Sequence, residues 1–150
     1  MNPGQTTDML PVFERKIILS AALDNLEQLL EWTETTLKDY YCPARTAQQF
    51  AVVTDEIFAN IAHYAYTGTT GDVTVRIGRV GDVLVAQFED EGIPFNPLDW
   101  PDPKTTGSIG ERRIGGQGIF LIKKFSDRVI YRRFKDKNLL TIFKGFTESG

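Results

Sequence analysis

Three polar residues stand close together in an otherwise apolar stretch of this sequence. Glu56, Asn60 and His63 are spaced four and three apart. At ~100° per residue that spacing puts them on one side of a helix, beside the Phe50, Ile57, Ile61 stripe and not on it. A carboxylate next to an amide on a helix edge suits a hydrated metal. The Asn60 amide oxygen can hold Mg²⁺, which prefers hard oxygen ligands and keeps several waters. Glu56 could orient a water or take a proton from an incoming hydroxyl. An exposed, hydrogen-bonded helix face would carry the same residues.

A second set is Asp90-Glu91-Gly92-Ile93-Pro94-Phe95-Asn96-Pro97. It begins where a strand is expected to end. An aspartate there can accept a hydrogen bond from the exocyclic amine of adenine, and Gly92 removes a side chain so that a flat base can approach the backbone. A strand followed by a turn rich in Asp, Gly and Pro is also common for purely structural reasons. The third set is Ile114-Gly115-Gly116-Gln117-Gly118-Ile119-Phe120-Leu121-Ile122. Glycines opening an amphipathic helix leave backbone N–H groups unblocked at the positive end of the helix dipole, a ready site for a phosphate chain. It is neither the dinucleotide fingerprint nor a P-loop, since no Lys-Ser/Thr follows and no strand directly precedes.

The elements that must position these sets follow from periodicity. Glu14 to Leu19 reads as a strand, and Ser20 as a helix N-cap. Leu23, Leu26, Leu30, Thr33 and Leu37 recur at helical spacing, so a helix is expected from Ala21 to about Tyr40. Cys42-Pro43 interrupts it. A second helix is expected from about Ala44 to Tyr66, with Phe50, Val53, Ile57 and Ile61 buried and Gly68 and Gly71 ending it. Val73 to Val80 and Val83 to Asp90 flank Gly81-Asp82 as a hairpin. Glu91 to about Gly116 carries four prolines, and a loop this long is usually functional or disordered. A helix from Gly118 to Phe125 precedes a last hairpin, Arg128 to Phe134 and Leu139 to Phe146, turning at Asp136 to Asn138. These elements make an α+β two-layer sandwich, an antiparallel or mixed sheet with helices on one face.

Bulk properties narrow the function. With 150 residues, 41% hydrophobic and 25% charged, the chain suits one globular domain. A net charge of -3 leaves no overall basic footprint for nucleic acid. The single cysteine, Cys42, rules out an intramolecular disulfide and fits a reducing compartment. Met1 to Pro11 lacks the apolar core of a signal peptide, and no apolar run approaches the ~20 residues of a membrane helix. The expectation is a soluble, cytoplasmic protein that binds neither membrane nor nucleic acid directly, with a flexible tail at 1–12 and a single domain at 13–147.

In order and spacing the three sets resemble the GHKL ATPase superfamily of histidine kinases, gyrase B and bacterial anti-sigma factors. Within it they look most like the anti-sigma regulatory serine/threonine kinases. Asp55-Glu56-Ile57-Phe58-Ala59-Asn60, with His63-Tyr64-Ala65-Tyr66, looks like their N box. Asp90 to Pro97 looks like their first glycine box. Gly115 to Lys124, with Asp127 and Tyr131, looks like their second, and Asn138 to Phe143 resembles their closing strand. The likeness spans about Glu14 to Phe146.

The resemblance implies a Bergerat-type sandwich with ATP between the helices and a lid at about 94–116. It implies that Asn60 coordinates Mg²⁺, that Asp90 and Gly92, in a box with Pro94 and Phe95, hold adenine, and that Gly116 and Gly118, with Gly115, Gln117 and Ile119, wrap the phosphates. Glu56 matches the family's catalytic carboxylate, which activates a serine on a partner protein. The usual partner is an anti-sigma-factor antagonist of the STAS fold, a sigma factor being the second, and homodimers are common. Tyr64 stands where many relatives carry a histidine, and His63, one position earlier, is the candidate to reach a phosphate in its place. Ile114 stands where some carry an arginine, with Arg112 and Arg113 just upstream. The alternative is a nucleotide-dependent partner-binding module with little or no kinase activity.

Overall fold

The computed structural model describes residues 13–66, 68–99 and 117–146. In chain order these form β1 (Phe13–Ser20), a 3-10 turn (Leu23–Asn25), α1 (Leu26–Asp39), α2 (Ala44–Tyr64), β2 (Asp72–Val80) and β3 (Val83–Asp90). A 3-10 turn (Pro97–Asp99), α3 (Gln117–Phe125), β4 (Arg128–Phe134) and β5 (Lys137–Gly145) follow. The strands make one five-stranded sheet in the order β1-β2-β3-β5-β4. Every pairing is antiparallel, so among the described strands the sheet is uniform rather than mixed.

The alternation of each strand sends one row of side chains toward the helices. Val73, Val75 and Ile77 of β2, Leu84, Ala86 and Phe88 of β3, and Leu140 and Ile142 of β5 are buried in a single core. Against them α2 presses Phe50, Val53, Ile57, Phe58 and Ile61, while α1 contributes Leu29 and Leu37 and α3 contributes Ile119 and Ile122. Each fully buried side chain of this size stabilises the fold by ~1.5–3 kcal/mol relative to exposure. The α+β two-layer sandwich with helices on one face is thus present. No helix of the described residues is long and apolar enough to cross a membrane.

Local details depart from the periodic reading. Ser20 ends β1 and makes no cap. Its carbonyl accepts from Asn25 Nδ2 at 2.9 Å and from Ala22 N at 2.8 Å, so the chain makes a 3-10 turn before α1 starts at Leu26. At the far end of α1, Tyr41 adopts φ 58. Its N–H bonds to Lys38 O and that of Cys42 to Leu37 O, a left-handed C-terminal cap that satisfies the last carbonyls of the helix. The final hairpin turns at Lys135-Asp136, both with positive φ (50 and 66), as two-residue hairpin turns require. β5 therefore starts at Lys137, and Asn138 is a strand residue instead of part of the turn.

The register has a direct consequence for the site. Asp90 pairs with Val73 on one side and with Asn138 on the other, and Asn138 pairs with Arg133. Directly opposed residues share a face. Asp90, Asn138 and Arg133 therefore form one row across the end of the sheet, on the side covered by α2.

Candidate functional site

The α2 edge carries the first set as a gradient of exposure. Asn60 is buried, only 4% exposed, while Glu56 one turn earlier is half-buried and His63 one turn later is exposed. Ile57 and Ile61, on the buried stripe, hold this edge against the core. Burial pushes the Glu56 carboxyl above its ordinary value of 4.5, and the neighbouring Asp55 charge adds to the rise. Among the described residues, no hydrogen-bonded partner meets the side chain of Glu56 or Asn60. The Asn60 amide atoms are not among the fully buried unpaired atoms of the described residues, so the amide is left open to water or to a ligand. His63 lies beside the ring of Tyr64, with centroids 5.9 Å apart.

At the end of β3, Asp90 is 4% exposed. Its Oδ1 accepts two hydrogen bonds, from Gly92 N at 2.9 Å and from Asn138 Nδ2 at 2.8 Å. No donor among the described residues bonds to its Oδ2. Burial raises the carboxyl above its ordinary value of 3.8, and the Asn138 amide, the Gly92 N–H and the Arg133 charge reverse only part of that rise.

The loop after Asp90 is clamped from several sides. Ile93 N donates to Ala65 O at 2.9 Å, using a carbonyl that the end of α2 leaves unbonded. Arg133 Nη1 donates to Gly92 O at 2.8 Å. A Cβ on Gly92 would meet Ala65 O at 2.1 Å, so no larger residue fits without separating this loop from α2. Tyr66 joins the same corner: its hydroxyl accepts from Glu91 N and donates to Asp72 O, each at 2.7 Å. Pro94 is exposed, whereas Phe95 is half-buried with its ring 5.7 Å from that of Tyr64. Between these groups lies a cavity of about 20 Å³, lined by Asn60, Asp90, Phe95, Pro97, Tyr131 and Asn138 with apolar side chains of the core. That volume accommodates about one water.

Residues 19–144 match the family described as the histidine kinase-like ATPase domain. The chain belongs to this family. It is 25% identical over 126 residues to the serine/threonine-protein kinase BtrW of Bordetella bronchiseptica, covering 83% of this chain and 88% of that protein. It superposes with a TM-score of 0.61 and 10% identity on the crystal structure of the RsbU and RsbW domains of Rv1364c from Mycobacterium tuberculosis. That match covers 87% of this chain but only 32% of the solved one, and shows a shared fold.

A histidine kinase-like ATPase domain has ATP to accommodate, and the described residues fit it at two points. Asp90 Oδ2 is an open acceptor of the kind that an adenine amine needs. The Asn60 amide oxygen, on a residue only 4% exposed and bonded to no described side chain, is a hard donor that would suit a Mg²⁺ taking its other ligands from phosphates and water. No cluster of three His, Cys, Asp or Glu side chains among the described residues could hold a metal unaided, so the amide would share the ion with the substrate.

The structure brings Asn60, Asp90 and Phe95 together around the cavity, with Gly92 behind Asp90 and Glu56 one helical turn away. Gln117 and Gly118 open α3. Ile119 is 2% exposed and belongs to the core; it does not line the cavity. Gly115 and Gly116 lie outside the described residues, as do Arg112, Arg113, Ile114 and most of the expected lid. Three contributors were not singled out from sequence: the side chain of Asn138, the guanidinium of Arg133 and the carbonyl of Ala65. Asn138 did leave a signal, because it is a polar residue in phase with inward-facing Leu140 and Ile142.

Proposed function

We propose that this protein is an ATP-dependent serine/threonine kinase of the anti-sigma type. In this reading it phosphorylates a serine on a STAS-like anti-sigma-factor antagonist, and it holds a sigma factor when the phosphorylated antagonist lets go. The observation that carries the reading is the Asp90 carboxylate, tied down through one oxygen and open at the other, sharing a cavity with Asn60. The name of BtrW as a serine/threonine-protein kinase supports serine chemistry.

The residues divide the work. The adenine amine donates to Asp90 Oδ2. The missing side chain of Gly92 serves the docking of the loop on Ala65, and not an approach of the base as expected from sequence; its N–H holds the other Asp90 oxygen. The cavity is too small for a purine, so Phe95 and Pro97 move outward as the base enters. Asn60 would hold a Mg²⁺, which would neutralise charge on the triphosphate. The N–H groups of Gln117 and Gly118, which open α3, cradle the phosphates together with Gly116 before them. Glu56 takes the proton of the partner serine as its Oγ bonds to the γ-phosphorus, and the bond from that phosphorus to the β–γ bridging oxygen breaks, releasing ADP. Positioning and charge neutralisation are the main requirements of such a transfer. A base with a raised pKa suits proton transfer near neutral pH better than an ordinary glutamate. A lid at about 94–116, a homodimer and a cytoplasmic location belong to the same proposal.

The test is transfer of labelled γ-phosphate from Mg·ATP to STAS-fold partners. Wild type should transfer, and Glu56→Gln should be slower by at least about a hundredfold with ADP affinity unchanged. Equal rates would remove Glu56 as the base. Mg²⁺-dependent ATP binding without transfer to any such partner would identify a nucleotide-dependent binding module instead.

A further inference from the structure

We infer that Asn138 is a positioning residue for base recognition: it holds Asp90 by one carboxylate oxygen, leaves the other for the base, and so sets a preference for a 6-amino over a 6-oxo purine. This rests on Asp90 being the adenine acceptor, as proposed above.

The Asn138 side chain is 3% exposed, and its hydrogen-bonding capacity is used up. One amide hydrogen goes to Asp90 Oδ1 at 2.8 Å and the other to Ile93 O at 2.7 Å. Its Oδ1 accepts from Phe95 N at 3.3 Å and from the Tyr131 hydroxyl. An amide offers two donors and one oxygen with two lone pairs, so nothing is left over. The orientation is also fixed. Flipping the amide would set its oxygen against Asp90 Oδ1 and Ile93 O, and its NH₂ against the Phe95 N–H.

Asp90 is constrained in turn. Asn138 and Gly92 N both bond to Oδ1, so rotating the carboxylate would break both bonds. That leaves Oδ2, on a residue that lines the cavity, as the oxygen open to a ligand, and in the carboxylate form it can only accept. A 6-amino purine supplies the donor it needs. A 6-oxo purine brings a second acceptor to a buried carboxylate, a mismatch that a site with little water penalises strongly. The bonds from Asn138 to Ile93 and Phe95 tie the following loop to the same fixed point. One amide therefore sets both the carboxylate and the chain beside it.

The experiment compares Mg²⁺-dependent affinities of the full chain for ADP and for inosine diphosphate. Wild type should prefer ADP by at least about tenfold, the factor expected from one mismatched buried hydrogen bond. Asn138→Ala should lose at least about that factor for ADP and clearly less for inosine diphosphate, so that the preference collapses. A merely structural role would weaken both nucleotides alike. Asn138→Asp, which keeps the acceptor for Phe95 and Tyr131 but places an oxygen against Asp90, should collapse the preference in the same way. A preference kept in both variants but lost in Asp90→Asn would overturn the role of Asn138 while leaving Asp90 at the adenine. No preference in wild type, with Asp90→Asn silent, would overturn the adenine assignment itself. Wild type alone supplies a further check should a variant fold poorly. Its Asn138 side-chain amide protons should exchange slowly with solvent and shift on adding ADP, and rapid exchange would overturn the inference.

Discussion

At the proposed base end of the site, Asp90, Gly92, Arg133 and Asn138 come from β3, the loop after it, β4 and β5, and the two that bond most directly are 48 positions apart. At the proposed phosphate end, Glu56 and Asn60 come from consecutive turns of α2 and bond to no described side chain. The first region is held by its own hydrogen bonds and offers a ligand one open oxygen. The second offers polar groups whose partners must arrive with the ligand. A closed network suits selection of a base by hydrogen bonding, because the Asp90 and Asn138 polar groups are already fixed by one another. Open groups suit a metal and a transferring phosphate, whose charges change during the reaction.

Breaking the closed network at its tightest point should have the largest effect. Gly92→Ala puts a Cβ 2.1 Å from Ala65 O, so the loop must leave α2. Unfolding free energy should fall by about 1–3 kcal/mol, read by denaturant titration, and ADP binding should fall with it. Unchanged stability would mean that the loop is not clamped on α2. Asp90→Asn should come next, weakening ADP by at least about tenfold, or about 1.4 kcal/mol, in calorimetric titration. Unchanged affinity would take Asp90 out of the base site.

Acidification sharpens the comparison without mutation. ADP affinity should decline as Asp90 protonates, at a pH above the ordinary aspartate value of 3.8. Stability should respond to Asp90 with the opposite sign. Because the folded pKa is raised, protonation relieves a burial penalty, and this residue's contribution to stability improves as pH falls. ADP affinity and the thermal midpoint, followed together between about pH 7 and 4.5, should therefore separate; a parallel loss would mean that unfolding, not Asp90, drives the decline. The smallest effect is expected at the open end. His63 is exposed, and His63→Ala should change ATP affinity by no more than about threefold, as solvent-screened contacts do. A larger loss would make His63 a phosphate ligand.

Much of the fold was readable from spacing alone. The α2 stripe, the β2–β3 hairpin around Gly81-Asp82 and the final pair of strands follow from periods of 3.6 and 2 that burial imposes directly. Boundaries were less readable. Ser20 has the right chemistry for a cap, yet its carbonyl is taken by a 3-10 turn. Lys135-Asp136 carries no glycine to announce a turn with two positive φ angles, so spacing alone places Asn138 in the turn. Of the site, Glu56 and Asn60 were legible as a helix-edge pair because both lie within one element, and Asp90 and Gly92 because a strand end followed by glycine is a local pattern.

The sequence by itself determined the local half of this protein: which residues can be helix or strand, which side of α2 is polar, and where an acceptor and a glycine follow one another. Tertiary structure decided the rest. Placing β5 between β3 and β4 sets Asn138 opposite Asp90, and docking Ile93 on Ala65 brings that row beside α2. Strand order and register depend on the whole sheet closing over one core, a condition that no window of local periodicity contains.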